Sequence, residues 1–476
     1  MRAVSEGKGV CRDFATSLEY GLEYLVDTHY TGEGIKVDCV VNHGHMWVRV
    51  NNFEQFISKT KRRQFMSKNI LTITILLTIG LLLEPCVSSA DQTDSIIKAN
   101  NEFAIDLYSR YKSEEGNVFF SPFSISSAIA MTYEGARAET ADQIKEVFHF
   151  PEDTNLLREA YLSLYNEINR EDKKYTLSTA NALWAQKDYK FLDEYFSLVD
   201  KYYAGKVTNL DFISKTEEAR ITINTWVEKK TNNRIKDLIP KGMLSPLSRL
   251  VLTNAVYFKG FWFKQFNKDN TKEEDFTISK DSTIKVQMMH LTDMARNLRY
   301  AETDNLQILE LPYEARELSM LILLPKEDDI NSIEAELNIK NLLKYKKLLK
   351  PEKVELSLPR FKFETKYFMA KDLVRMGITD AFTLGIDFGG KADFSGMTGD
   401  RLLNISEVIH QAFVEVNEEG TEAAAATAVV MKVGCAGPMP PPVIKVFKAN
   451  HPFIFIIQQQ NTGNILFIGR VNNPTE

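Results

Sequence analysis

Cysteine is scarce in this sequence, with four residues in 476, and they are unevenly placed. Cys11, Cys39 and Cys86 precede a candidate cleavage point described below, which leaves Cys435 alone in the rest of the chain. A domain with a single thiol has no internal disulfide, so a hydrophobic core has to stabilise it. Hydrophobic residues make up 44% of the chain, and a domain of this length is large enough to bury them.

The sequence also has no large excess of charge of either sign. It carries 58 Lys and Arg residues against 64 Asp and Glu residues, a formal net charge of -6. This balance gives no attraction of the whole molecule to nucleic acid or anionic lipid, so we expect no nucleic-acid partner. One basic run at 344–353 would suit a polyanion, although a solvated helix face explains it equally well.

Sequence signatures of catalysis are missing as well. The chain has no glycine-rich phosphate loop, no HExxH, no paired CxxC and no GxSxG. Its seven histidines are scattered, and none has the spacing to a serine and an acid that would indicate a triad. We therefore predict that the chain is not an enzyme and that it uses no metal or cofactor.

One apolar run interrupts the globular pattern. Residues 70–83 are uncharged, follow four basic residues and lead to small residues that end at Ala90. This layout is typical of a secretory signal peptide, so we predict one over residues 66–90, with a secreted product that begins at residue 91. An uncleaved membrane anchor is the alternative, although the run is short for an ordinary spanning helix. Lipid attachment at Cys86 is a further alternative that its bulky neighbours disfavour.

The first 65 residues precede Met66, the first residue of the predicted signal peptide. We therefore interpret residues 1–65 as an upstream extension, which translation from Met66 would omit. The segments GVCRDFA around Cys11 and GHMWVRV around His45 resemble the cysteine and histidine motifs of the transglutaminase-like superfamily, where the thiolate is the nucleophile. No aspartate follows His45 before the signal peptide, so we expect a truncated fragment without activity.

Residues 91–476 are expected to form one α+β domain. Helical spacing of apolar residues predicts helices over 101–111, 124–133, 140–148 and 222–235. Strand-like composition follows over 249–263, 306–324, 353–363 and 408–416. The runs 453–458 and 464–471 flank an Asn-Thr-Gly turn and predict a C-terminal hairpin. Because helices mostly precede strands without βαβ alternation, we expect helices packed on large, mostly antiparallel β-sheets.

One late stretch does not suit a resting core. Residues 418–442 read EEGTEAAAATAVVMKVGCAGPMPPP, in which alanines offer little to bury and prolines block regular pairing, so we expect an exposed loop. A surface helix capped by Thr421 is the alternative. The stretch also suits a strand that inserts into a sheet. The residues that would share one face of that strand are small and uncharged throughout: Thr421, Ala423, Ala425, Thr427 and Val429.

Six segments, in this order along the chain, resemble the serpin family over nearly all of residues 95–476. They are NVFFSP at 117–122, TNAVYFKG at 253–260, LPY at 311–313, EEGTEAAAAT at 418–427, HPF at 451–453 and ILFIGRV at 465–471. The resemblance implies a monomeric inhibitor with an exposed reactive loop. A target serine protease cuts the loop, which then inserts into the central sheet while the protease is still held as a covalent acyl-enzyme.

The same resemblance assigns roles to particular residues. A mobile hinge would comprise Glu418, Glu419, Gly420, Thr421, Glu422, Ala423, Ala424, Ala425, Ala426 and Thr427. A polar shutter beneath the central sheet would comprise Ser121, Ser124, Asn254 and His410. Trp262 would mark the breach, where the loop enters the sheet. Ordinary buried packing is the alternative for the shutter residues and for Trp262.

Counting from the hinge glycine, as in inhibitory serpins, places the scissile bond at Gly434-Cys435. The loop is slightly long, so Lys432 and Val433 are alternative bond positions. Gly434 or Val433 would suit an elastase-like or subtilisin-like protease with a small primary pocket, which we favour, whereas Lys432 would suit a trypsin-like one. Cys435 is interpreted as a small loop residue, with oxidation of its thiol as the alternative.

A serpin fold used without inhibition, as a carrier, chaperone or storage protein, is the second candidate function. Such members typically have a charged or bulky hinge that inserts poorly. Thr421 and the four alanines at 423–426 favour the inhibitory alternative.

Overall fold

The chain divides into two compact units, Met1–Cys86 and Val87–Glu476. The structure, a computed structural model, describes residues 25–29, 36–42, 45–51, 89–170, 172–421 and 443–476. In the first unit, strands β1 (Leu25–His29), β2 (Lys36–Asn42) and β3 (His45–Asn51) form an antiparallel sheet in that order. His45 therefore begins a strand, whereas Cys11 lies outside the described residues.

Helices precede most strands in the second unit, as the sequence predicts. The described helices are α1 (Ser89–Tyr111), α2 (Pro122–Gly135), α3 (Ala138–Phe148), α4 (Thr154–Ile168), α5 (Asp193–Tyr203), α6 (Thr216–Lys230), α7 (Ile330–Glu336), α8 (Ile339–Leu348), α9 (Ala370–Met376) and α10 (Ser395–Thr398). Local chemistry sets several of their first residues. Ser121 caps α2 by accepting from the Ser124 backbone N–H, and Pro122 takes the first helical position, where its missing N–H costs nothing.

The strands of this unit form two large sheets. They are β4 (Val118–Phe120), β5 (Tyr175–Gln186), β6 (Lys206–Leu210), β7 (Leu250–Phe261), β8 (Lys272–Ser279), β9 (Ser282–Glu302), β10 (Leu306–Pro312), β11 (Leu318–Pro325), β12 (Lys350–Pro359), β13 (Phe361–Phe368), β14 (Ile405–Val416), β15 (Gly420–Thr421), β16 (Lys445–Lys448), β17 (Phe453–Gln459) and β18 (Ile465–Val471). One sheet has nine strands in the order β16-β12-β9-β10-β11-β17-β18-β4, with β8 paired to β9. The other has six, in the order β13-β14-β15-β7-β5-β6.

Each face of the six-stranded sheet is buried against a different set of side chains. Alternate residues of β7, such as Leu252 and Val256, belong to the main core between the sheets and helices. The residues between them, such as Val251 and Ala255, pack against α6 and the segment that follows it. Because the sheet is covered on both faces, a strand added to it would bury both of its own faces.

The predicted α+β architecture is confirmed, with three local corrections. The helix expected at 222–235 is α6, which begins six residues earlier and ends at Lys230. The strand expected at 306–324 is two strands, because a short 3-10 turn at Glu314–Arg316 reverses the chain. The strand expected at 353–363 is also two, which meet at Arg360 and lie in different sheets. Among the described residues, no helix is both long and apolar enough to cross a membrane. The apolar run 70–83 lies outside them.

Candidate functional site

The six-stranded sheet is open at one end between β7 and β14. These two strands run parallel and pair from Leu250 and Ile405 as far as Tyr257 and Phe413. Beyond that point they separate, and the two residues of β15 lie between them. Thr421 pairs with Val416 of β14 on one side and with Gly260 of β7 on the other. The sheet therefore already accommodates the first residues of an additional strand.

The start of the predicted exposed loop is buried, which corrects the sequence expectation for residues 418–421. Glu418, Glu419 and Thr421 are 2%, 7% and 0% exposed. The preceding strand β14 stops at Val416, and Gly420 begins β15. A side chain at Gly420 would overlap the backbone of Gly260 and Phe261, so the close approach of the strands requires glycine here.

Two buried carboxylates tie this hinge to neighbouring strands. Glu418 accepts hydrogen bonds from the Arg360 guanidinium, at 2.7 Å from Nε, and from the Thr271 hydroxyl. Burial raises the pKa of the Glu418 carboxyl, but these hydrogen bonds outweigh burial, so the net shift is downward. Glu419 forms an ion pair with Lys268. Each of the two buried glutamates thus has a compensating cation beside it.

Trp262 and Tyr313 line the opening directly beside the hinge. Trp262 donates from its indole Nε1 to the carbonyl oxygen of Asn417 at 2.9 Å, and from its backbone N–H to that of Glu419 at 2.9 Å. Its ring stacks on Tyr313 at 4.6 Å between centroids. The Tyr313 hydroxyl is 2.7 Å from Oγ1 of Thr421. The side chain of Thr421 therefore points toward the main core, to which Tyr313 belongs.

A buried polar cluster lies under the middle of the same sheet and contains all four predicted shutter residues. The Ser121 hydroxyl donates to the Leu466 carbonyl oxygen at 2.6 Å. The Asn254 amide nitrogen is 2.6 Å from Oγ of Ser124 and also contacts Oδ1 of Asn181. Asn181 on β5 stands opposite Asn254 on β7 and was not among the predicted shutter residues. An amide inside the largely apolar strand β5 was the available signal.

His410 joins this cluster to helix α2. Its Nε2 accepts the backbone N–H of Ser121 at 3.2 Å, so Nδ1 carries the proton and donates to Oδ1 of Asn254. In this neutral form, both ring nitrogens of the imidazole make a hydrogen bond. Burial lowers the pKa of His410 to about 3. The ring is consequently neutral throughout the physiological range, and no described partner would compensate its positive charge.

Most of the predicted loop lies outside the described residues. This applies to the hinge from Glu422 through Ala423, Ala424, Ala425 and Ala426 to Thr427, and to Lys432, Val433, Gly434 and Cys435 at the candidate scissile bonds. The chain is described again from Val443, where β16 follows and pairs in parallel with β12. Among the described residues, no cluster of three or more His, Cys, Asp and Glu side chains has the arrangement of a metal site.

Comparisons with known proteins agree on one family. The sequence profile of the family described as Serpin (serine protease inhibitor) matches residues 98–474. A serpin-like protein of Methanosarcina acetivorans is 44% identical, with 80% of this chain and 88% of that protein covered. Serpin B6 of Macaca fascicularis is 44% identical, with 80% and 100% covered.

Solved structures agree with the sequence relatives. Uncleaved ovalbumin matches with a TM-score of 0.71 at 31% identity, covering 80% of this chain and 100% of its own. Human thyroxine-binding globulin matches with a TM-score of 0.72 at 31% identity, covering 81% and 100%. The hinge and the polar cluster both lie within the residues that the family profile matches.

Proposed function

Because this chain belongs to the serpin family, we propose that it is a secreted, monomeric inhibitor of serine proteases that ends each reaction as a covalent complex with its target. The observation that carries the proposal is the position of Thr421, which already lies between β14 and β7. Insertion of the loop then extends an existing strand, so no first pair of hydrogen-bonded residues has to form anew.

The pairing of β15 gives the register of that continuation. The strand runs antiparallel to both neighbours, so each further residue moves one position back along β7 and β14. Thr427 would then stand between Asn254 and His410, the two residues that now pair with each other in the polar cluster. Insertion separates this pair, and the Thr427 hydroxyl would supply a hydrogen-bonding group at the point of separation.

The alternation of side chains also favours insertion. Thr421 points toward the main core, so Ala423, Ala425, Thr427 and Val429 would follow it on that face. Ala425 would meet Val256 and Ala412, both of which are 0% exposed. Glu422 would lie on the opposite face, between the half-buried residues Lys259 and Glu415. The single charged residue in the early part of the strand is therefore directed away from the main core.

The chemistry of the trap belongs to the protease. Its serine Oγ attacks the carbonyl carbon of the scissile bond, the tetrahedral intermediate collapses, and the new amine leaves with the proton that the protease's histidine returns. The loop is then cut from the downstream part of the chain, and its new C-terminal carbonyl group is held as an ester on the protease serine. Insertion proceeds before water hydrolyses the ester. The inserting loop moves the attached protease along the sheet. The serpin contributes no catalytic group to these steps.

The proposal is tested by incubating the protein with subtilisin or an elastase and separating the products by denaturing electrophoresis. An inhibitor gives a band with the summed mass of the protease and the large serpin fragment, whereas a carrier or storage protein gives cleaved fragments alone. Appearance of fragments without the covalent band would refute the inhibitory function.

We further propose Gly434-Cys435 as the scissile bond, with Val433 or Lys432 as the alternative residue before the cut. A small or aliphatic residue there suits an elastase-like or subtilisin-like target. Mass spectrometry of the released C-terminal fragment identifies the bond. Cleavage after Lys432, with inhibition of trypsin alone, would overturn this assignment.

A further inference from the structure

The outer face of helix α8 carries lysines and leucines and no acidic residue. We call the residues of this face the basic face: Lys340, Leu343, Lys344, Lys347 and Leu348. The three lysines are exposed and follow one another at the i, i+4, i+7 spacing of a single helix face. The two leucines flank the lysines and are 49% and 38% exposed. The face is therefore positively charged at its centre and apolar at its sides.

The core of the domain holds α8 by its opposite side. Leu342 and Tyr345 attach the helix to the main core, and they are 0% and 5% exposed. Leu343 and Leu348 instead keep a large part of their surface in water. One exposed leucine is ordinary on a protein surface, but two that border a row of lysines make an amphipathic surface.

The lysines of the basic face are not neutralised within the fold. Lysines in other helices pair with a carboxylate one turn away, as Lys98 does with Glu102 and Lys215 with Glu218. Helix α8 offers no such partner, because residues 337–351 contain neither Asp nor Glu. Within the part of the chain that the structure describes, none of the lysines of the basic face forms an ion pair.

The acidic residues at the two borders of this stretch have other neighbours. Glu336 accepts a hydrogen bond from the Tyr345 hydroxyl on the inner side of the helix. Glu352 interacts with Lys445 of the neighbouring strand β16. Lys350, which is exposed and follows the helix directly, adds a further positive charge. The stretch therefore presents uncompensated charge of one sign to the solvent.

The types of side chain indicate the chemistry of a partner. All cations of the basic face are lysines, which are compact, strongly hydrated charges, whereas arginine forms the bidentate pairs that select an individual phosphate or sulfate group. Lysines thus suit a diffuse anionic surface. A soluble polyanion would leave the flanking leucines in water, whereas a lipid surface lets such side chains reach the boundary of the acyl chains.

We propose that the basic face docks the secreted product on an anionic lipid surface, an inference that rests on the proposed secretion and is independent of inhibition. The lysines lie among the lipid phosphates, and Leu343 and Leu348 reach between the headgroups. Because the chain has a net charge of -6, the attraction is local to this face. The helix lies on the lipid surface, since its 10 residues are about half of what a spanning helix needs.

Docking at this face leaves the hinge of the loop accessible. Strand β12 begins at Lys350, directly after α8, and ends at Pro359. The next residue, Arg360, binds Glu418 of the hinge. At about 3.4 Å per residue, the strand separates the hinge from the basic face by roughly 30 Å. A protein held on lipid in this way still presents its loop to a protease.

The test measures binding of residues 91–476 to vesicles, so that the apolar run 70–83 does not contribute. These residues lie in the second compact unit, and 80% of this chain covers 100% of Serpin B6, so this part corresponds to a whole relative. The vesicles are an equal mixture of phosphatidylglycerol and phosphatidylcholine, compared with phosphatidylcholine alone. We expect binding to the anionic vesicles only, and weaker binding as the salt concentration rises.

Two double variants test the two parts of the face, and heat unfolding verifies that each variant folds. Lys344→Gln/Lys347→Gln should weaken binding to the anionic vesicles about 25-fold, since each lysine near an anionic surface contributes roughly fivefold. Leu343→Ser/Leu348→Ser should weaken it at least about fivefold, because the apolar contact is lost. The matched control is Lys229→Gln/Lys230→Gln, which removes the same charge from exposed positions at the end of α6 and should change binding less than about twofold.

The results that would overturn the proposal are distinct. Equal binding to neutral vesicles, or an equal loss in the control, would show that the basic face does not recognise anionic lipid. Binding to a sulfated polysaccharide that only the lysine variant loses, without binding to vesicles, would identify a soluble polyanion as the partner and refute the lipid surface. The vesicle assay does not involve the loop, so its outcome is separate from whether the chain inhibits a protease.

Discussion

A charge introduced at Ala425 tests the register and the facing of the inserted strand together. Arginine at this position would lie between Val256 and Ala412, which are both fully buried in the main core. Neither neighbour offers a compensating charge, and an uncompensated buried charge costs about 3 to 5 kcal/mol. If this cost adds to the activation free energy of insertion, the insertion step slows by roughly 10²- to 10⁴-fold. Hydrolysis of the acyl-enzyme is then faster than insertion, and the Ala425→Arg variant is cleaved as a substrate and does not inhibit.

The assay measures how many inhibitor molecules are consumed for each protease molecule that is inactivated. Glu422→Arg is the matched control, because its side chain would lie on the other face, between the half-buried residues Lys259 and Glu415, and the Glu415 carboxylate is there to pair with it. We expect about one molecule for the control, as for the unsubstituted protein, and at least about ten for Ala425→Arg, since even a tenfold slowing corresponds to only about 1.4 kcal/mol. Equal consumption by the two variants would refute the register derived from β15.

Three further outcomes are expected. Thr427→Val should leave the intact protein unchanged but reduce the stability gained on loop cleavage by about 1 kcal/mol, because one hydroxyl is lost from the polar cluster; unfolding in urea before and after cleavage measures it. Because burial holds the pKa of His410 at about 3, below the ordinary value of 6.5, stability should fall as pH decreases from 6.5 toward 3, by about 1.4 kcal/mol per unit, and His410→Gln should flatten this slope. Glu418→Gln should lower the free energy of unfolding of the intact protein, measured in urea, by about 1 kcal/mol, because its pair with the partly exposed Arg360 is weakened; an unaltered free energy of unfolding in this variant and in Arg360→Gln would contradict this.

Sequence patterns predicted the order of helices and strands well, because periodic apolar residues report directly on buried faces. They did not reveal the turn at 314–316, where Ala315 and Arg316 adopt positive φ without the glycine or asparagine that usually marks such a position. The strand at 306–324 therefore looked continuous.

The hinge shows a different limit of sequence reasoning. The alanines and prolines of residues 418–442 predicted exposure for the whole stretch, Glu418 and Glu419 included. Their burial depends on Arg360 and Lys268, which are distant in the chain and meet them only through the tertiary fold. The amide of Asn181 within β5 is visible in the sequence, but its place in the polar cluster follows only from the pairing of β5 with β7, which sets it beside Asn254.

The most direct test of loop insertion compares heat unfolding of the intact protein with that of protein cut once within residues 422–442. The account predicts a higher midpoint after the cut, because each inserted residue pairs with strands on both sides. A net gain of only about five backbone hydrogen bonds, at about 1 kcal/mol each, would raise the midpoint by about 10 °C at roughly 2 °C per kcal/mol. An equal or lower midpoint in the cut protein would contradict insertion as the source of inhibition.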